Sequence, residues 1–330
     1  MKLTTEDIAK ICGVSRGTVD RALNGRGEIN PETKRRILQT AQGMGYRPNL
    51  LASSLSTGRT RTFGVVVFNL KNEFFSYLLG SIEAHARAMG YFVYITLTNK
   101  DPQVEAECID RLVARKVDGI VLCPINTDAT YRFADVPVPV VSINNRIGEC
   151  VPHVGIDDFE AQRQAVRHVV ASGYEHIIFI CPSLRHAGQT NIHASQFRYS
   201  GFLAGMAEAG ANVAHTLIQD RAYESQLHSA IPQDKRTAIM CTSDIYAFRS
   251  INALRQRGIM VPRDVGIMGF DNIQTYQTIR PRLSTVAYPF EEVAAASVGT
   301  LIDMIEGRQV PSNTVIPHAI IDGETIQCAK

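Results

Sequence analysis

Several signatures are missing from these 330 residues, and each absence narrows the field. No C-x-x-C occurs, and the seven cysteines are odd in number and scattered, which argues against a disulfide framework. Cys123, Cys181 and Cys241 each end an apolar, strand-like run, as small buried hydrophobes of a reducing compartment do. No apolar stretch reaches the length of a membrane span, and the opening "MKLTTEDIAK" has no apolar signal-peptide core. The expected location is the cytoplasm, with no membrane partner. No G-x-G-x-x-G follows a strand-like run, and there is no P-loop, no G-x-S-x-G and no paired His at metal spacing. "NGRGEIN" contains G-x-G but follows a helical pattern. The chain is therefore expected not to be an enzyme and to need no cofactor or metal. An α/β sugar-metabolising enzyme with a helical appendage is the competing class, and its signals are the ones missing. A sugar-binding transport protein, a third class, would carry a signal peptide and no basic module.

What is present begins with an asymmetry of charge. The net charge of +2 hides eleven Lys/Arg against five Asp/Glu in residues 1–61, a balance of +6 that leaves −4 for the rest. A small basic module on a mildly acidic body is the footprint of a polyanion partner. Within that module "LTTEDIAKICG" reads as a helix, with Thr4 and Asp7 as a capping box, Ile8, Ala9, Ile11 and Cys12 as its apolar stripe, and Gly13 as its stop. Ser15 caps a second helix, "RGTVDRALN", whose Val19, Ala22 and Leu23 share a face. Asn30 and Pro31 open a third, with Ile37, Leu38 and Ala41 buried. Two short helices joined around a glycine, then a third, make either a helix-turn-helix or a small helical subdomain with ordinary surface arginines. In the first reading Arg16 is suited to a guanine edge, Gly17 lets the backbone approach the groove, and Thr18 and Arg21 reach bases or phosphates. "PNLLASSLSTG" then offers about two helical turns, too short to be stable alone.

From Thr62 the pattern changes to apolar strands alternating with amphipathic helices, from "TFGVVVFN" through "VDGIVLC", "YEHIIFIC" and "TAIMCTS" to "DVGIMGFD". Repeated βα units predict a parallel sheet covered by helices on both faces. A helix-Gly-Tyr-strand junction at Gly90–Tyr91 recurs at Gly173–Tyr174, which hints at two similar halves. Ligands of such sheets lie beyond the carboxyl ends of the strands, which picks out "NLKNEFF", "NNR", "TSD" and "FDN". Asp244 and Asp271, at strand ends, are also suited to capping the next helix.

"DIAKICGVSRGTVDRALN", "INPETKRRILQTAQGMGYRPNLLASSL", "VGIDDFEAQRQAVRHVV" and "DVGIMGFDN" together resemble the lactose-repressor (LacI) family of bacterial transcriptional regulators, over essentially the whole chain. The resemblance implies an α/β protein with a three-helix headpiece (1–46), a hinge helix and linker (47–61) and a two-lobed, parallel, periplasmic-binding-protein-like body (62–330). Lobe crossings are expected near 160, 287 and 318, giving lobe 1 as about 62–160 and 287–317 and lobe 2 as about 161–286 and 318–330. It implies DNA contacts from Thr5, Ser15, Arg16, Gly17, Thr18, Arg21 and Asn24, and from Asn49, Ala52 and Leu55 in the hinge, where Leu55 wedges between base pairs. It implies effector contacts from Asn69, Asn72 and Phe75 at one rim and from Asn145, Arg198, Ser243 and Asp271, with His186 and His193 in a nearby loop. Three positions depart from the family pattern: Asp20 replaces a small polar residue, Asn145 an acid, and Ser243 an Asn. The implied function is a repressor, homodimeric on a pseudo-palindromic operator and released by a sugar-type effector. A nucleoside or purine-type ligand or a corepressor is the alternative. No heptad extension follows residue 320, so dimers are expected rather than tethered tetramers.

Overall fold

The computed structural model describes residues 4–24, 28–46, 58–184, 190–210, 213–219 and 222–329. The expected hinge helix with Asn49, Ala52 and Leu55 lies outside the described residues, as does His186. The chain divides into a small unit, Met1–Thr60, and a large one, Arg61–Lys330.

The small unit is built on α1 (Thr5–Cys12), α2 (Arg16–Asn24) and α3 (Pro31–Gly43). A side chain fixes the start of each. Thr4 and Asp7 form a reciprocal capping box. Ser15 Oγ accepts from the Thr18 amide at 3.1 Å, and Asn30 Oδ1 accepts from the Glu32 amide at 2.9 Å. Gly13 ends α1 at φ 58°, a left-handed conformation that favours glycine, and turns the chain into α2. From α3, Arg36 Nη2 donates to the Cys12 carbonyl at 2.9 Å and so satisfies one of the carbonyls left open at the end of α1. Ile8, Ala9, Cys12, Val19, Ala22, Ile37 and Ala41 form the core. Ile11 and Leu38, expected in it, are instead 56% and 41% exposed. Ile11 falls about 110° around the helix from the centre of the Ile8–Ala9–Cys12 stripe, and three short helices close over only a narrow stripe.

The large unit contains two sheets. In chain order its strands are β1 (Thr62–Val67), β2 (Phe92–Leu97), β3 (Gly119–Leu122), β4 (Val140–Ile143), β5 (His153–Gly155), β6 (His176–Ile180), β7 (Ala214–Ile218), β8 (Thr237–Cys241), β9 (Val265–Asp271), β10 (Ser284–Ala287), β11 (Asn313–Val315) and β12 (Ala319–Ile321). Its helices are α4 (Glu73–Ala88), α5 (Pro102–Ala114), α6 (Asp158–Ala171), α7 (His193–Ala209), α8 (Tyr223–Ala230), α9 (Asp244–Arg255), α10 (Gln274–Gln277) and α11 (Phe290–Ile305). One sheet has the order β11-β5-β4-β3-β1-β2 and is parallel throughout. The other has the order β12-β10-β9-β8-β6-β7, parallel except for β12. Central strands β3, β6, β8 and β9 are buried along their whole length, as strands covered on both faces must be. The chain passes from one lobe to the other after β5, after β10 and between β11 and β12.

Helices α6 and α7 pack unusually close in the second lobe, and two glycines permit it. A Cβ on Gly201 would sit 2.1 Å from the Phe159 carbonyl oxygen, and one on Gly205 would sit 2.7 Å from Val166 Cβ. The first contact is with backbone, which cannot swing aside. The consequence reaches the cleft, because α6 carries Asp158 and α7 carries Arg198. Gly201→Ala must push the helices apart, and it should destabilise the protein by about 1–3 kcal/mol, the usual cost of overpacking. Urea unfolding of the full chain checks this; an unchanged midpoint would show that the close approach is not needed.

Candidate functional site

Two regions bring the expected residues to the surface or into a cleft. In the small unit, Ser15, Arg16 and Gly17 form the exposed first turn of α2, with Thr18 half-buried beneath them. Ser15 Oγ lies 2.9 Å from Thr18 Oγ1, so these hydroxyls order the turn itself. Arg21 Nε donates to the Gly17 carbonyl at 3.3 Å, which lays that side chain back along its own helix. Among the described residues nothing demands a glycine at 17: a Cβ there would meet Ser15 Oγ alone, at 3.8 Å. Thr5, half-buried, begins α1, and Asn24 is the last residue of α2.

In the large unit a cavity of about 430 Å³ lies between the lobes. It opens where the strands end, as expected for parallel α/β sheets. The first lobe lines it with Phe68, Asn72, Phe74, Phe75, Lys100, Asn144 and Asn145, and the second with Arg198, Thr242, Ser243, Tyr246 and Asp271, among others. Of the seven residues expected at the effector site, six line this cavity. Asn69 does not; its Oδ1 accepts from the Lys71 and Asn72 amides and builds the turn leading into α4. Asn72 caps α4 through Oδ1, accepting from the Phe74 amide at 3.1 Å. Phe75 packs edge-on to Phe68 and Phe74, which makes an apolar wall.

Arg198 is the centre of the opposite wall. It is 7% exposed, and its Nε donates to Asp158 Oδ1 at 2.7 Å. Its Nη1 donates to the Thr242 carbonyl at 2.6 Å and lies 3.9 Å from Asp271 Oδ1. The guanidinium sits 3.6 Å over the centre of the Phe270 ring. Asp271 ends β9 at φ 122°, a conformation costly for a side chain and typical of residues held for function. The hydroxyls of Thr242 and Ser243 are buried, and neither has a hydrogen-bond partner among the described residues. Ser243 occupies the N-cap position of α9, but its side chain makes no capping bond.

Neither Asp244 nor Asp271, both suited by sequence to capping, caps the helix that follows it; the Asp271 carboxyl instead takes a backbone hydrogen bond from Asp244, at the start of α9. Asp244 accepts from the Ile273 amide at 2.7 Å and from Thr285 Oγ1 at 2.6 Å, so it ties α9 to the loop after β9 and to β10. Three buried carboxyls therefore lie in one cluster: Asp158 and Asp271 face the Arg198 guanidinium, and Asp244 adjoins Asp271. Burial raises the pKa of all three, against the pull of Arg198 on Asp158 and Asp271 and of hydrogen bonds on Asp244, which is pushed up to about 7. His193, beside the cleft at the start of α7, stacks on Phe197 at 4.2 Å, and burial lowers its pKa.

Sequence reasoning marked the loops that hold Thr242 and Phe74 but did not single out Asp158, Tyr246, Phe68 or Lys100 for the cleft and its walls. Asp158 had the clearest signal, in "VGIDDFEAQ", yet its partner lies 40 positions away in the chain. Among the described residues no group of three or more His, Cys, Asp or Glu could hold a metal, and no helix is long and apolar enough to cross a membrane. Cys123, Cys181 and Cys241 are free and buried.

An exposed helix-turn-helix turn and a two-lobed cleft with an arginine at its centre define a ligand-responsive nucleic-acid-binding protein. Residues 4–49 match the model of the bacterial regulatory proteins of the lacI family, and residues 166–326 match that of the periplasmic binding protein-like domain. The HTH-type transcriptional regulator DegA of Bacillus subtilis is 31% identical over 97% of each chain. A periplasmic binding protein/LacI transcriptional regulator from Alkaliphilus metalliredigens, solved with D-xylulofuranose, is 26% identical, with a TM-score of 0.70 over 81% of this chain and 99% of that one. The lac repressor dimer bound to operator and the anti-inducer ONPF has the same fold, with a TM-score of 0.84 at 20% identity over 99% of this chain and all of that one. The chain belongs to the lacI family of bacterial regulatory proteins and is a DNA-binding transcriptional regulator, not an enzyme.

The pH dependence of the buried acid follows from its shift. An Asp244 carboxyl held at about 7 when folded, against 3.8 in a model peptide, makes the folded state bind more protons between those values. The stability this contributes is complete below about pH 4 and is lost as pH rises through 7. Asp244→Asn carries no such proton, so the variant should gain on the parent as pH goes from 5 to 8. Thermal unfolding of both at several pH values measures it, and a difference that does not change with pH would contradict the assignment.

Proposed function

We propose that the protein is a homodimeric repressor that reads a pseudo-palindromic operator and is released from it by a small sugar or sugar derivative bound between the lobes. The observation that carries the effector reading is the wall formed by Arg198, Asp271 and the unpartnered hydroxyls of Thr242 and Ser243. A polyol satisfies such a set with its hydroxyls, while its apolar face rests on Phe75 and its aromatic neighbours. The relative from Alkaliphilus metalliredigens, with its bound D-xylulofuranose, supports the class of ligand. Asn72 offers its side-chain NH2, since its oxygen caps α4. Asn145 contributes shape, because both ends of its amide are engaged with protein.

For operator reading, Arg16 meets base edges in the major groove, with Thr18 and Arg21 beside it and Thr5, Ser15 and Asn24 towards the backbone. Gly17 lets the helix come close. Asn49, Ala52 and Leu55 act in the minor groove. Edge strand β2 leaves Phe92, Tyr94, Ile95 and Leu97 exposed, an apolar surface that a second copy would cover.

A thermal-shift screen of sugars and related metabolites tests the effector reading, using the parent protein and Ser243→Ala. The Ser243 hydroxyl has no partner to lose among the described residues, so the variant keeps its fold and loses the shift. Arg198→Ala is the poorer probe, because it strands Asp158 and Asp271 as buried acids. No shift with any polyol would defeat this reading. For the headpiece, Arg16→Ala should weaken binding to an operator selected from random DNA by about 1–3 kcal/mol while leaving random DNA nearly unaffected. Equal losses on both would remove Arg16 from the base-reading surface.

A further inference from the structure

We infer that Asn145 and Asn191 form a latch between the two lobes and are positioning residues for the regulatory response. Asn191 lies in the second lobe, between β6 and α7, and every hydrogen-bonding group it has is used. Its backbone N–H donates to the Ile125 carbonyl at 2.6 Å. Its side-chain NH2 donates to the Arg146 carbonyl at 2.9 Å and the Asn126 carbonyl at 3.4 Å. Its carbonyl accepts from Asn145 Nδ2 at 3.0 Å. Only its Oδ1 stays within its own lobe, accepting from the His193 amide at 3.2 Å. Asn145, after β4 in the first lobe, completes the tie: its Oδ1 accepts from the Ala194 amide at 3.0 Å, and its Nδ2 also donates to the Pro124 carbonyl at 3.1 Å.

Five hydrogen bonds thus cross between the lobes at one place, and two side-chain amides take part in four of them. Asn145 is 4% exposed, so water does not compete for its bonds. The chemistry requires an amide at 145. A carboxylate could accept from Ala194, but it has no proton for the carbonyls of Pro124 and Asn191. The three chain crossings act as a hinge, and the latch fixes the angle of that hinge with protein groups alone. Its regulatory consequence rests on the reading that effector releases the operator. The latched arrangement is then the operator-binding one, and effector acts by undoing it.

The test uses the full-length protein with no effector added. Asn191→Ala leaves the acceptor of the Ala194 amide in place, so a purely local loss would not expose that amide. If the latch acts as one unit, hydrogen exchange at Ala194 becomes at least about tenfold faster, the radius of gyration in solution scattering rises, and affinity for an operator selected from random DNA falls by about 5- to 150-fold. Asn145→Asp gives the same result and serves if Asn191→Ala does not fold. Unchanged exchange at Ala194 overturns the latch. Faster exchange with unchanged operator affinity overturns the positioning role. Faster exchange with tighter operator binding leaves the latch standing and overturns the release reading instead.

Discussion

The pairing of Arg198 with Asp158 is the constraint around which the large unit is arranged. A guanidinium 7% exposed is tolerable only if its charge and its donors are met, and here a carboxylate, a backbone carbonyl and an aromatic ring meet them. The pair exists because α7 can lie against α6 with no side chain at Gly201 in the way. It holds Asp271 within 3.9 Å in a backbone conformation that costs energy, and it carries positive charge to the floor of the cleft. Asp271 shares the same guanidinium and Asp244 adjoins Asp271, and the burial of these acids makes the cluster retain protons at a pH where exposed carboxyls have lost theirs.

That arrangement is why the proposed site of regulation is the cleft rather than another surface. Both sheets end there, so loops from both lobes face one another across it. Aromatic side chains give the first lobe an apolar wall, and the second lobe presents a charged floor with hydroxyls that lack partners among the described residues. A molecule that satisfies both walls draws on both lobes at once, and any preference it has for one lobe angle shifts the population between angles. The asparagine tie at the rim gives that equilibrium a definite resting point.

The elements legible in the sequence are those set by neighbours in the chain. Thr4 with Asp7, Ser15 with Thr18 and Asn30 with Glu32 act across two or three residues, and the helix starts follow from them directly. Strand order, by contrast, is set by pairings between segments far apart in the chain, which no local pattern reveals. The burial of Ile11 and Leu38 was misjudged because apolar character does not say which side of a short helix has a neighbour. Asp158 was missed because its meaning depends on Arg198, 40 positions away, and on two glycines that no local pattern marks as packing sites. Asn145 was legible as a cleft residue, but its engagement with Asn191 was not, since that depends on where a loop of the other lobe comes to rest.

The central claim is that occupancy of the cleft and occupancy of the operator are linked through the lobes. Linkage is reciprocal, so one comparison tests it: titration of the effector found by the screen into free protein and into protein saturated with operator. The account predicts weaker effector binding to the operator complex, by the same factor by which effector weakens operator binding, within the roughly 5- to 150-fold range of such couplings. Equal effector affinity with and without operator would contradict it.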